Sequence, residues 1–289
     1  MTARRRADRR AGLAFVAPAA LALAALALYP SLWVLWLSLQ QRVPIFGIAH
    51  FTGLDHYAFL AGDPRFWNAL RVTLVFTGVS VALELGLGLA VALALQRQRA
   101  GRRLALSLLL LAWALPSVVT AKLFEWLYHP SAGLVNLVIG RPLNWLGDPG
   151  LALPGLVLAD VWRTTPFVAL LCYARLLTIP GEVYEAARVD GAGRLATLRW
   201  VTLPLLRSIL LVALLFRTLD ALRAFDLMFV LTGGGPAGTT ETLTVYAYRS
   251  LFQTLQLGFG AAIGVVIFAL VMLVAAVYLR ALRREGLAA

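Results

Sequence analysis

Six long apolar runs separated by short polar clusters dominate the chain: residues 12–39, 70–95, 104–128, 152–176, 204–228 and 258–280. About 20 apolar residues in a helix reach across roughly 30 Å of hydrocarbon, so each run is long enough to cross a bilayer. Lipid offers backbone N–H and C=O groups no partner, and each run is therefore predicted to be helical. Pro18, Pro30, Pro116 and Pro166 fall inside these runs, where neighbouring helices of a bundle tolerate them. The expected fold class is an all-α membrane protein of six transmembrane helices, with residues 1–289 forming one domain.

The polar clusters orient the spans. Seventeen basic residues, from Arg4, Arg5, Arg6, Arg9 and Arg10 through Arg97–Arg103 and Arg175–Arg207 to Arg280–Arg284, fall on one side. Five (Arg42, Arg65, Arg71, Arg141 and Arg249) fall on the other. Positive charge stays inside, which places both termini and the 177–203 loop in the cytoplasm of a cell-membrane protein. Tyr29, Trp67, Trp126 and Tyr128 sit near the predicted interfaces. The outer connections run over about 40–69, 129–151 and 229–257. In the last, TGGGPAG precedes the mildly apolar TLTVYAYRSLFQTL, which suits either a helix that enters and leaves on the outer side or a surface helix.

Composition agrees with this pattern and removes other classes. Apolar residues make up 61% of the chain and charged residues 14%, with a mean hydropathy of +0.81. A soluble domain carries roughly a quarter charged residues. The net charge of +12 rests almost wholly on arginines beside apolar runs, which is an orientation signal and not a nucleic-acid footprint. RRRADRR precedes a run too long for a secretory signal, so the first span is expected to stay uncleaved. Cys172 is the single cysteine, so neither an intrachain disulfide nor a thiolate metal site is available. His50, His56 and His129 fall in predicted loops without ligand spacing, and no cofactor or metal is assigned to the chain.

Nine ionisable residues lie within the spans: Glu84, Lys122, Glu125, Asp160, Arg163, Arg217, Asp220, Arg223 and Asp226. In RTLDALRAFD, residues 217–226, charges of alternating sign stand three apart, so Arg217 can reach Asp220 and Arg223 can reach Asp226 on one helix. Asp160 and Arg163 repeat the arrangement. At roughly 2.5–3.5 kcal/mol per mid-bilayer charge, exposure of the set to lipid is excluded. These residues face the bundle interior, a watery cavity or a partner. Two readings stay open, a polar translocation route and structural pairing.

EVYEAARVDGAG, residues 182–193, interrupts the apolar pattern on the cytoplasmic side. Pro180 suits a first turn, and Glu182 and Glu185 favour the positive end of a helix dipole. The helix is expected to reach Val189 and to stop at Asp190-Gly191, with Gly191 left-handed. A second short helix is expected over about 193–201, with Pro204 opening the fifth span. Helices this short need packing to hold them, and a cytoplasmic partner is the natural source.

Glu185-Ala186-Ala187, Asp190-Gly191-Ala192 and Thr202-Leu203-Pro204 resemble the EAA signature of permease subunits in binding-protein-dependent ABC importers. LYPSLWVLWLSL, FTGLDHYAFL, DPRFWNALRVTL, DVWRTTPFVALL and FRTLDALRAFDLMFVLTGGGP are similar to the carbohydrate-importing branch, so the resemblance covers almost the whole chain. It implies a MetI-like type I importer permease fold. It also implies a second homologous permease, two ATPase subunits that bind ATP and Mg, an extracytoplasmic sugar-binding protein and a sugar substrate. Glu185, Ala186, Ala187, Asp190, Gly191, Leu203 and Pro204 would then couple to the ATPase. Asp63, Pro64, Thr232, Gly233, Gly234, Gly235 and Pro236 would touch the binding protein. The resemblance leans toward a trehalose- or maltose-type disaccharide, although glycerol-phosphate permeases share much of the pattern. The longer maltose permeases carry additional N-terminal spans and an outer domain that this sequence lacks, so their sugar contacts do not transfer.

The residues fit a chain energised from outside itself. The one lysine, Lys122, lies in an apolar run without the Gly-rich loop of GxxxxGK[ST], so no phosphate-binding P-loop is present. An ion-coupled secondary transporter would show paired repeats with broken helices, and none is found. A membrane enzyme would need a nucleophile or metal cluster at an interface, which neither Cys172 nor the histidines provide.

Overall fold

The computed structural model describes residues 15–98 and 100–284. The Arg4–Arg10 run, Arg99 and the start of the first predicted span lie outside the described residues. In chain order come α1 (Phe15–Leu37), β1 (Gln40–Val43), β2 (Ile48–Phe51), α2 (Asp55–Gly62) and α3 (Pro64–Arg97). Next are α4 (Arg102–Ala114), α5 (Ser117–Leu127), α6 (Leu134–Ile139), α7 (Ala152–Leu176) and α8 (Gly181–Val189). Last are α9 (Arg194–Ala221), α10 (Asp226–Leu231), α11 (Leu243–Tyr248) and α12 (Leu257–Arg284). Among the described residues α1, α3, α7, α9 and α12 are long and apolar enough to cross a membrane.

Three predicted spans come out differently. The 104–128 run is two helices, α4 and α5, bent by 100° where Leu115-Pro116 breaks the hydrogen-bond ladder. Counted as one bent span, the pair makes the sixth crossing. The 204–228 run ends as a helix at Ala221, turns through 222–225 and restarts as α10. The 70–95 run lies within a longer helix, α3, that starts at Pro64. Proline at the first position fits because its missing N–H would be unpaired there in any case.

The described chain divides into two compact units. One comprises the residues up to Asp63 with Tyr246–Val266. No residue of its α1 is buried. β1 and β2 form an antiparallel hairpin, Gln40 opposite Phe51 and Val43 opposite Ile48, closed by a turn with Gly47 at φ 64°. Trp36 stacks on Phe51 at 5.9 Å, and the Ser38 and Tyr57 hydroxyls meet at 2.7 Å. His56 is in α2, not a loop, and its buried ring lies 3.0 Å from the Gln40 carbonyl. A Cβ at Gly258 would come within 1.7 Å of that same carbonyl, so only glycine admits the approach.

The other unit comprises Pro64–Val245 and the last helix from Ile267 onward. α3 and α7 pack along each other at its centre. Lipid is as apolar as leucine, so burial alone does not drive spans together, whereas close packing of small residues does. Gly88 sits where a Cβ would fall 2.6 Å from Val168, and Ala92 and Ala169 are fully buried. One apolar cluster gathers Phe76, Phe124, Leu156 and Met228, and a second gathers Leu95, Cys172, Leu176 and Leu206. α10 packs on α5. Asn136 and Trp145 fix the 129–151 segment, the indole donating to Asn136 Oδ1 at 2.9 Å.

Candidate functional site

Deep in the second unit a guanidinium is clamped between three helices. Arg217 on α9 donates Nε to Glu84 Oε2 at 2.5 Å and Nη2 to Glu84 Oε1 at 3.0 Å, a bidentate pair with α3. Nη2 also reaches Asp160 Oδ2 on α7 at 3.2 Å, and Nη1 reaches Asp220 Oδ2 at 2.5 Å. Arg163 adds a 3.3 Å contact to Asp160, and the Thr164 hydroxyl lies 2.7 Å from Glu84 Oε1. Glu84, Asp160 and Arg217 are 0, 2 and 4% exposed. The set holds three carboxylates against two guanidinia, so one formal negative charge stands over. Asp220, its side chain 58% exposed, carries the accessible end.

Two of the expected pairs form, Arg217 with Asp220 and Asp160 with Arg163. The third, Arg223 with Asp226, does not. A three-residue step brings side chains together only on a continuous helix, and the chain leaves the helix after Ala221. Arg223 instead donates to the Leu219 carbonyl at 3.0 Å, and Asp226 accepts from Ser117 at 2.5 Å, beside the α4–α5 bend. Lys122 and Glu125 pair at 2.6 Å with both side chains largely exposed. Glu84, for which no partner was expected, is the hub. Its neighbours Thr73, Thr77 and Ser80 follow steps of four, three and four, one buried face of α3. That polar stripe is readable in the sequence. Thr77 and Ser80 are buried without a hydrogen-bond partner among the described residues, unusual for interior hydroxyls.

The second place is the 177–203 elbow. α8 runs over Gly181–Val189 behind Pro180. The Ala192 N–H bonds Ala187 O at 2.9 Å and the Gly191 N–H bonds Arg188 O at 3.1 Å, with Gly191 at φ 77°. This is a Schellman closure, which requires a left-handed residue after the cap. Ala187 packs inward while Glu185, Ala186, Asp190 and Gly191 are exposed, and Val189 is 87% exposed. Glu185 leans on Arg188 at only 3.8 Å. Leu203 is half-buried and Pro204 exposed. The predicted helix over 193–201 is no separate element. It continues through a π-helical turn, Leu198–Thr202, into the fifth span as the one helix α9. The wider turn absorbs the approach to Pro204, which has no N–H to continue the ladder.

The third place is the TGGGP loop. Gly233 and Gly234 have φ 61° and 91°, a conformation open chiefly to glycine. Thr232 and Thr240 hydroxyls meet at 2.7 Å, and Thr240 also donates to the Gly235 carbonyl at 2.6 Å in neighbouring geometry. Arg65 at the start of α3 makes a bidentate pair with buried Glu241, both bonds 2.8 Å, and Asn68 donates to the Gly238 carbonyl at 2.8 Å. The loop is thus held against the N-terminal end of α3, with Gly235 and Pro236 partly exposed. Asp63 accepts from the Tyr246 hydroxyl at 2.7 Å in the first unit, and Pro64 opens α3 in the second.

Apolar spans, a buried charge clamp and an exposed elbow define a multi-pass membrane permease. The chain belongs to the family of binding-protein-dependent transport system inner membrane components, whose model matches residues 85–285. It is 38% identical over 255 residues to the trehalose/maltose transport system permease protein MalF of Thermococcus litoralis, covering 87% of this chain and 86% of that protein. It is 39% identical over 283 residues to the trehalose transport system permease protein SugA of Mycobacterium tuberculosis, covering 96% and 91%. The sulfoquinovosyl glycerol transport system permease protein SmoG of Agrobacterium fabrum is also 39% identical, with 96% and 92% covered. A crystal structure of a bacterial ABC transporter that imports the acidic polysaccharide alginate contains a chain of the same fold, TM-score 0.84 at 22% identity, with 97% and 99% covered. The type I importer permease fold is therefore the architecture of this chain.

Proposed function

We propose that this chain is one permease of a sugar importer, carrying a trehalose- or maltose-type disaccharide inward. It pairs with a second homologous permease, receives sugar from an extracytoplasmic binding protein and draws energy from two ATPase subunits that hold ATP and Mg. The names of the relatives support the substrate class. The observation that carries the coupling is the elbow itself: a Schellman-closed helix that buries Ala187 and exposes Glu185, Ala186 and Val189. An exposed apolar face beside charged side chains fits a protein groove better than water. In this reading Glu185 makes a charged contact with the ATPase, Ala186 permits close approach and Gly191 sets the angle. Asp190, Leu203 and Pro204 complete the coupling segment, and both termini lie in the cytoplasm. The TGGGP loop with Asp63 and Pro64 meets the binding protein. Asp220 is the part of the charge clamp open to a translocation route.

Uptake of labelled trehalose and maltose into vesicles carrying the assembled transporter tests the reading. ATP-dependent uptake that needs the binding protein is expected. Uptake persisting without ATP or ATPase subunits would convert the assignment to a secondary carrier. Glu185→Ala and Gly191→Pro should insert normally yet uncouple uptake from ATP hydrolysis. Wild-type uptake in both would remove the elbow from the mechanism.

A further inference from the structure

A cavity of about 530 Å³ opens behind α8, between it, the C-terminal end of α3 and the first turns of α9. Every charged residue lining it is an arginine: Arg97 from α3, Arg188 from α8 and Arg194 from α9. The Arg97 and Arg194 side chains make no hydrogen bond or ion pair among the described residues, while Arg188 leans weakly on Glu185. The Tyr184 side chain also lines the cavity, and its hydroxyl is buried without a hydrogen-bond partner among the described residues. Three guanidinium groups from three helices raise the local positive potential, and an unpaired phenol adds a donor. Within the lining nothing negative offsets them. The remaining wall is largely apolar, with Leu93, Leu195 and Leu198. Arg97 ends a 34-residue apolar helix, so the cavity stands at the depth where a span meets the headgroup layer.

We infer that this cavity is a binding site for the phosphate of an anionic phospholipid, wedged between the last turn of α3 and the coupling elbow. Arginines bind phosphate through paired N–H groups, and basic pockets at the cytoplasmic ends of spans take acidic headgroups. The apolar wall favours a lipid over a free phosphate, since Leu93 leads from the arginines back along α3 toward the hydrocarbon. A lipid seated here touches α3, α8 and α9 together and so braces the elbow against the bundle. The inference rests on the cytoplasmic placement of the elbow, part of the proposed function, but not on the identity of the sugar.

The assembled transporter, purified from vesicles of phosphatidylcholine mixed with phosphatidylglycerol, would be compared with an Arg97→Gln/Arg194→Gln variant. Lipid retained per complex is measured by mass spectrometry. Retention of phosphatidylglycerol should fall on the order of tenfold in the variant, and an Arg141→Gln control should retain it fully. Equal retention in wild type and variant overturns the site. Inorganic phosphate added to complexes in phosphatidylcholine alone is the second arm. If it stabilises wild type against thermal unfolding as strongly as phosphatidylglycerol does, the ligand is a soluble anion and the lipid assignment fails. Loss of ATPase subunits from the variant with lipid retention unchanged would make the cavity a protein contact instead. Lipid retention needs no transport, so a complex that holds the lipid but imports no sugar defeats only the proposed function.

Discussion

The clamp around Arg217 and the elbow at Glu185 use the same chemistry, a carboxylate near a guanidinium, to opposite ends. In the clamp Glu84, Asp160 and Arg217 are sealed from solvent and hydrogen-bonded on several sides. In the elbow the Glu185–Arg188 pair is 3.8 Å apart with both side chains about 70% exposed. Water screens the second pair so well that it contributes almost nothing to folding. An ion pair kept out of water is different, because removing one partner strands the other charge. The contrast fits a clamp that holds the bundle together and, as proposed, an elbow that serves a partner.

Four single substitutions and one paired change test that division. Arg217→Met strands Glu84 and Asp160 and should cost about 3–5 kcal/mol, seen as a large drop in the unfolding temperature of the purified transporter. The partnered change Arg217→Met with Glu84→Leu should regain much of the loss. If the single variant is as stable as wild type, the clamp is not structural. Arg65→Gln should cost about 1–3 kcal/mol by depriving buried Glu241 of its bidentate guanidinium. Limited proteolysis within 232–241 should accelerate, and an unchanged cleavage pattern would show that the loop is held by other contacts. Gly191→Val forces a branched residue to φ 77° and should cost about 1–2 kcal/mol, confined to the elbow. Hydrogen exchange over 181–197 reads it, and protection equal to wild type would contradict the strain. Glu185→Gln should shift stability by less than about 0.5 kcal/mol. Its ATP-driven uptake should nevertheless fall at least about tenfold, as for a central interface residue. A stability loss larger than the uptake loss would reverse the comparison.

What the sequence revealed follows from the range of the forces involved. The apolar runs, the helix before Asp190 and the left-handed Gly191 depend on neighbours a few residues apart, and all were legible. Glu84 pairs with a residue 133 positions away, so its role as hub required the tertiary structure, although the Thr73–Thr77–Ser80–Glu84 spacing signalled a buried polar face. The hairpin at 40–51 was passed over within a connection, yet Pro44 and Gly47 mark its turn. The helix break at 222–225 has no proline or glycine to announce it, and with it the Arg223–Asp226 pairing was lost. Arg97, Arg188 and Arg194 were counted as orientation charges. Their convergence on one cavity is a property of packing that charge counting cannot supply.

α9 runs as one helix from Arg194 to Ala221, with a π-helical turn at Leu198–Thr202 close to one end, which is the form of a lever. Its ends are separated by about 40 Å at 1.5 Å per residue, and a five-degree tilt would swing one by about 3.5 Å relative to the other. In the proposed coupling, a stroke received at the Arg194 end would reach the Arg217 guanidinium along this one helix, so the gearing between fuel and cargo would be set by its stiffness.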